Sequence, residues 1–338
     1  MFNIPEVIHI SATIKDIAKM CGVSEGTVDR AINNRGGIKK ETKEKILEMV
    51  KKLDYKPNHI ASCLAKGTTK TIGVVCAELM NPFFSSLVQA IERTARDNGY
   101  FITLILTHNS VNRELEGIGY LAERQVDGLI IFPVGKGKEY EEKLLMYNLP
   151  IVTVYNRISD KFVHVDVDCR QIMREAVLRV ADKGYKKIAY IDPGYDNPEV
   201  QKKNRFSLNE RRLGFIQGIE DIKLGKPDIF TEINWESIEG YLNENDEKTA
   251  IMCPFDRVAL KLLDILKMKG IKVPEQVGIM GFDNIPMLNL ITPRLYSVDC
   301  DTNNLGRKAV SILLSIINKE EYEGNFCVDY TFTDGQSL

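Results

Sequence analysis

Residues 13–34 read TIKDIAKMCGVSEGTVDRAINN. Thr13 with Asp16 three residues on is a capping-box start, and Ile14, Ile17 and Ala18 form an apolar stripe at helical spacing. Gly22 breaks the pattern, and Ser24 is placed to cap a second helix in which Val28, Ala31 and Ile32 repeat. Two short helices joined by a tight glycine-containing turn make a helix-turn-helix. A third helix is expected from about 40 to 53, with Ile46, Leu47, Val50 and Leu53 facing inward and mostly Lys and Glu outside. A plain three-helix protein-binding module would share this local pattern.

Geometry favours DNA as the partner, because a helix fits the major groove and residues near its start reach base edges. Here those residues are Glu25, Gly26 and Arg30, with Thr13 and Thr27 available for phosphates. Arg30 is suited to guanine and Glu25 to a cytosine amine, whereas Gly26 offers no side chain and as a mid-helix glycine costs about 1 kcal/mol relative to Ala. Asp29 is placed to repel a nearby phosphate. Charge agrees with a polyanion partner at this end: residues 1–70 hold 13 Lys/Arg against 8 Asp/Glu, a net of +5, while the remaining residues carry a net of −7. Beyond the third helix, Pro57 is suited to open a short helix over 59–66, stopped by Gly67-Thr68-Thr69 and too short to be stable alone.

From residue 71 apolar runs alternate with helical patterns. Strands are expected at 71–76, 101–106, 128–132, 151–154, 187–191, 249–252 and 278–282, with helices such as 83–97, 112–124, 169–183, 210–222 and 258–269 between them. Uniformly apolar strands separated by helices indicate parallel sheets covered on both faces. No Walker-type GxxxxGK followed by Ser or Thr is present and no GxGxxG opens a helix, which argues against a nucleotide-using enzyme. The longest uncharged apolar run, 128–134 (GLIIFPV), is far short of the ~20 residues a membrane span needs. The first residues, MFNIPEVIHISA, lack a basic cluster followed by an apolar stretch, so no secretion signal is read and a cytoplasmic location is expected. Seven scattered cysteines without a CxxC fit reduced thiols, and four dispersed histidines form no metal spacing. No cofactor, metal or catalytic residue is expected.

The head, the linker YKPNHIASCLA (55–65), the strand TIGVV (71–75), NPFF (81–84), RQVDGLII (124–131), RRLGF (211–215), VPEQVGIMGFDNIP (273–286) and TPRLYSV (292–298) stand in one characteristic order. As a set they resemble the lactose-repressor (LacI/GalR-type) family of bacterial transcription regulators, from Thr13 to Lys319. The resemblance implies an all-α helix-turn-helix head plus an α/β body whose two parallel-sheet lobes resemble type I periplasmic sugar-binding proteins. It sets residues 1–56 as the DNA-binding domain, 57–70 as hinge helix and linker, and 71–338 as the effector-binding and dimerisation domain. Within the body it gives a near lobe of about 71–160 and 294–325, and a far lobe of about 161–293 with the C-terminal strand. It adds Ser24, Asn33, Asn58, His59 and Ala61 to the DNA-contacting set and makes Leu64 a minor-groove wedge that kinks the duplex.

In open α/β sheets ligands bind beyond the carboxyl ends of the strands, so the cleft between the lobes is the expected site. The motif matches place Arg211 and Asp283 there as hydroxyl-binding groups, Asn156 after the strand VTVY, and Phe83 and Phe84 to stack on a sugar ring. Phe132 and Phe255 stand where relatives often carry polar residues, and Cys169 where Asn is usual, so a more aromatic pocket is expected. The implied function is a ligand-responsive repressor that binds a palindromic double-stranded operator as a homodimer or higher assembly, controlled by a small sugar or sugar-derived effector and without membrane contact. Two rivals are a sugar kinase with a fused DNA-binding head and a periplasmic sugar-binding protein.

Overall fold

The computed structural model describes residues 12–55, 67–244, 246–322 and 327–338. The chain divides into two compact units, residues 1–69 and 70–338.

The first unit contains α1 (Ile14–Cys21), α2 (Glu25–Ile32) and α3 (Lys40–Lys52). Thr13 Oγ1 accepts from the Asp16 N–H while the Asp16 carboxylate accepts from the Thr13 N–H at 2.9 Å, so the capping box is closed in both directions. Helix α1 stops at Gly22, whose φ of 72° is costly for any residue with a Cβ. Ser24 Oγ then accepts from the Thr27 N–H to start α2. Ile17, Ala18, Cys21, Val28, Ala31, Ile46 and Tyr55 form the core. Leu47, expected inside, is 41% exposed; Ile46, Met49, Val50 and Leu53 lie at i, i+3, i+4 and i+7 and define the inward stripe, which leaves Leu47 about 100° away. Gly26 is not mid-helix but in the first turn of α2, where its backbone carbonyl accepts from Arg30 Nε at 3.1 Å. Asp29 is held by Arg35 at 3.4 Å and by the Asn33 amide, which blunts the expected repulsion of a phosphate.

The second unit contains two parallel sheets. The first has the order β2-β1-β3-β4-β5, formed by β1 (Thr71–Cys76), β2 (Phe101–Leu106), β3 (Gly128–Ile131), β4 (Ile151–Val154) and β5 (Val163–Val165). The second has the order β7-β6-β8-β9, formed by β6 (Lys187–Ile191), β7 (Asp228–Phe230), β8 (Thr249–Met252) and β9 (Val277–Met280). The central strands are buried, as their apolar sequences require, but edge strand β2 is only half covered and Phe101 is 63% exposed. Helices α4 (Pro82–Asp97), α5 (Val111–Glu123), α6 (Lys138–Met146) and α12 (Thr302–Asn318) accompany the first sheet, and α12 packs along α4. The second sheet carries α7 (Cys169–Asp182), α8 (Pro198–Gln201), α9 (Phe206–Asp221), α10 (Trp235–Asn243) and α11 (Asp256–Met268).

The lobe crossings differ from the expected ones. Strand β5 pairs with β4, so the chain leaves the first lobe after residue 165 rather than at 161. Residues 294–298 still belong with the second sheet, because Gly281 N–H donates to Tyr296 O at 2.9 Å and Asp283 N–H to Val298 O at 2.8 Å. The return therefore runs through β10 (Val298–Asp299), which pairs antiparallel with β11 (Thr331–Phe332), and the tail ends beside β9 through Ile279 N–H to Ser337 O at 2.8 Å.

Candidate functional site

On the first unit, Thr13, Ser24, Glu25, Gly26, Arg30 and Asn33 are exposed and Thr27 is half-buried, all at the start of α1 or along α2. Several of these side chains already have local work. Thr13 and Ser24 cap helices, Ser24 Oγ lies 2.9 Å from Thr27 Oγ1, and Asn33 is bonded to Asp29. Glu25 and the terminal nitrogens of Arg30 project without such ties among the described residues. Asn58, His59, Ala61 and Leu64 lie outside the described residues.

In the second unit the strand ends converge on Arg211, on α9. Arg211 is 1% exposed and donates from Nη1 to the Pro254 carbonyl; its guanidinium sits 3.7 Å over the Phe282 ring and 3.6 Å from Asp283 Oδ1. That last distance is an ion pair without a formed hydrogen bond. Both Arg211 Nε and Asp283 Oδ1 are buried polar atoms with no hydrogen-bond partner among the described residues. Burial pushes the Asp283 carboxyl well above its ordinary range, with the Arg211 charge acting against that. Burial also pulls Arg211 down, but Cys169, Asp283, Tyr155 and Cys300 more than offset it and keep the guanidinium charged. Asp283 adopts φ 107°, a strained backbone for a residue with a Cβ; strain of this kind costs about 1–3 kcal/mol and concentrates at functional sites.

An aromatic wall adjoins this pair. The Phe84 ring is 5.6 Å from Phe132 and 5.1 Å from Tyr155, both edge-to-face, and Phe83 lies 5.6 Å from Phe84. Phe84, Phe132, Tyr155, Asn156 and Phe255 line a cavity of about 220 Å³ between the lobes. Phe83 and Asp283 instead face a neighbouring groove of about 510 Å³, and Arg211 lies buried, lining neither space. The structure thus gathers the seven expected ligand residues into one region but divides them between its two sides.

Asn156 needs correcting as a free ligand group. Its Nδ2 donates to Pro133 O at 3.1 Å and Asn204 O at 3.2 Å, and its Oδ1 accepts from Ser207 N–H at 3.2 Å. The Asn204 and Ser207 bonds tie the first lobe to the start of α9, while the Pro133 bond stays within the first lobe. Asn204 continues the tie through its N–H to Val134 O at 2.8 Å and Nδ2 to Arg157 O at 2.9 Å. Further ties are Lys136 Nζ to Gln201 O at 2.6 Å and the Arg257–Glu78 ion pair at 3.0 Å. The lobes are therefore closed. Glu114 holds the 133–135 loop in place by accepting from the Val134 and Gly135 N–H groups at 2.9 and 2.8 Å.

Sequence reading missed Tyr155, Asn204 and the trio of buried Asp192 and Arg205 with half-buried Arg212. Arg205 Nη2 donates to Asp192 Oδ1, and Arg212 lies 3.2 Å from Asp192 Oδ2. Tyr155 follows strand VTVY directly, so strand-end position could have found it; the trio pairs residues 13 or more apart and left no local signal. Among the described residues no group of His, Cys, Asp and Glu is placed to hold a metal, and no helix is long and apolar enough to cross a membrane.

Comparison with known proteins places these features. Residues 13–58 match the pattern for "Bacterial regulatory proteins, lacI family", and residues 177–338 match "Periplasmic binding protein-like domain". The HTH-type transcriptional regulator RegA of Clostridium acetobutylicum is 30% identical, covering 97% of this chain and 99% of that protein. Catabolite control protein A of Priestia megaterium is 29% identical over 94% of this chain and 96% of its own length. The fold matches the lac repressor dimer bound to operator and the anti-inducer ONPF with a TM-score of 0.81, at 21% identity, covering 96% of this chain and 98% of that one. With a relative at this identity running along nearly its whole length, the chain belongs to the lacI family of bacterial regulatory proteins.

Proposed function

We propose that this chain is a DNA-binding transcription repressor whose hold on a palindromic operator changes when a small, sugar-like effector occupies the cleft between the lobes. The observation that carries the reading is the Arg211–Asp283 pair: a guanidinium and a carboxyl group, buried together, each with an orphaned polar atom. Leaving such atoms unpaired costs about 1–3 kcal/mol apiece, and a ligand hydroxyl, which both donates and accepts, relieves both at once. The aromatic wall beside them suits the apolar C–H face of a sugar ring.

At the other end, Glu25 in the first turn of α2 and Arg30 in its last turn are the base-reading groups, Thr13, Ser24, Thr27 and Asn33 are positioned for the phosphate backbone, and Asn58, His59, Ala61 and Leu64 form the minor-groove element. Residues 1–56, 57–70 and 71–338 serve as head, hinge and effector body. Two subunits act together in the cytoplasm, and the effector shifts operator affinity only by as much as it prefers one lobe arrangement. The chain binds its effector and does not transform it; relatives are transcription regulators, and no nucleotide signature supports a kinase.

Selection of bound genomic fragments followed by operator titration with and without a thermal-shift hit tests this. A palindromic site whose affinity changes on ligand addition is expected. Operator affinity that ignores a tightly bound ligand rejects the coupling, and ATP turnover with a sugar would reinstate the kinase.

A further inference from the structure

We infer that the effector is an anionic monosaccharide derivative, held at its charged end by Lys203 and Arg205. This rests on the cleft being the effector site and deepens that reading. The cavity between the lobes is lined by four charged side chains, Glu78, Lys203, Arg205 and Arg257. Glu78 and Arg257 neutralise each other at 3.0 Å. Arg205 is 5% exposed and shares the wholly buried Asp192 with Arg212, so two guanidiniums stand against one carboxylate. Lys203 is half-buried, and its ammonium has no ion pair or hydrogen bond among the described residues. The lining therefore holds about two positive charges in excess of its negative ones. In addition, Arg205 Nε is buried without a partner.

Enclosing surplus charge away from water is unfavourable unless a counter-charge enters with it. Asn81 and Asn109 also line the cavity and supply neutral donors around such an anion. A guanidinium with a free N–H beside an ammonium is the donor set that suits phosphate or carboxylate oxygens.

Size and spacing favour one sugar unit. The cavity of about 220 Å³ is below the ~300 Å³ at which drug-sized pockets begin. Arg205 caps α9 and Arg211 follows six residues later, which separates their backbones by about 9 Å along the helix. The Arg211–Asp283 pair lies buried beside this cavity rather than in its lining, and the unbalanced Lys203–Arg205 pair, which does line it, addresses the anion.

The test is calorimetric titration of the full-length protein with pentose and hexose 5- and 6-phosphates, uronic and aldonic acids, and the matched neutral sugars, at low and high salt. An anionic member is expected to bind at least tenfold more tightly than its neutral parent, and less so at high salt. The phosphate and acid series show which anion is used. Lys203→Met is expected to remove most of the preference for the anionic member over its neutral parent while leaving the melting temperature unchanged, and inorganic phosphate is expected to protect the parent protein more than this variant. A neutral sugar that binds as tightly as its anionic counterparts, or a preference that survives Lys203→Met, overturns the inference while the effector cleft stands. If sugars of neither kind bind, both readings fall.

Discussion

Replacing Gly214 with alanine should damage the effector body far more than its single added methyl suggests. Helices α7 and α9 make the most extensive helix–helix contact among the described elements, and Gly214 lies at their closest approach. A Cβ there would sit 2.1 Å from the Arg170 carbonyl oxygen, 2.9 Å from its carbonyl carbon and 3.0 Å from its Cα. All three are backbone atoms, so no rotamer change removes the clash. Restoring an ordinary contact of 3.4 Å requires the helices to part by about 1.3 Å. The Arg170–Glu210 and Arg174–Asp221 pairs, at 2.8 and 2.5 Å, bind the same two helices and resist parting. Overpacking of this kind costs about 3 kcal/mol, and the helix-propensity gain of alanine returns about 1 kcal/mol, leaving a net loss of about 2 kcal/mol. For a unit this large that is a fall of about 4–8 °C in the melting temperature by calorimetry. Arg211 is one turn before Gly214 and would shift with the helix, so effector affinity should fall as well. Gly240→Ala in α10 is the control, because a Cβ there meets nothing within 4 Å, and it should melt unchanged or slightly higher. A Gly214→Ala protein melting within a degree of the parent would refute the packing argument.

Arg211→Lys keeps the charge but loses the planar fork and the orphaned Nε, so calorimetry should show effector affinity reduced about 10- to 100-fold; a change under twofold would remove Arg211 from the site. Burial raises Asp256 to about 7, against its hydrogen bonds from Ser297 Oγ at 2.7 Å and Ile285 N–H at 2.9 Å. The folded state therefore keeps this proton up to about pH 7 while the unfolded chain loses it near 3.8, so the contribution to stability is complete below that lower value and is lost as pH rises toward 7. Asp256→Asn cannot titrate, and its stability relative to the parent should improve between pH 4 and 7 by up to about 1.4 kcal/mol per unit; a constant difference across that range would show that Asp256 titrates normally. Leu64→Ala should weaken specific operator binding and reduce DNA bending in gel-shift and circular-permutation assays, with non-specific binding unchanged, and an undiminished bend would exclude the wedge.

Features encoded within one turn or one strand were readable before the structure: the Thr13–Asp16 box, the Gly22 stop, and the apolar runs that became β1, β3, β4, β6 and β8. Weakly patterned elements were not. Helix α6 carries only Tyr140 and Leu144 inward among charged neighbours, and β5 and β7 are three residues each, too short for a period to register. Helix α9 starts four residues before its expected position because Arg205 caps it without a side-chain hydrogen bond, the signal used elsewhere. In the site, Arg211 and Asp283 could be placed in one region from sequence because Arg211 opens the motif RRLGF and Asp283 follows the strand GIMGF. The use of the Asn156 amide was not legible, since its partners at 133, 204 and 207 come from two other loops. Leu47 was misplaced by a single residue of helical phase.

The bonds through which Asn156 and Asn204 join the lobes are each worth only about 0.5–1.5 kcal/mol net. They break together when the lobes separate, and much of that small sum is spent on immobilising the loops. On the proposed function, these bonds would set only a few kcal/mol between this closed form and an open one. A molecule preferring one form by a few kcal/mol would then reverse the populations, and without it a minority of molecules is expected in the other state. Background transcription from a controlled promoter would be a direct readout of that minority.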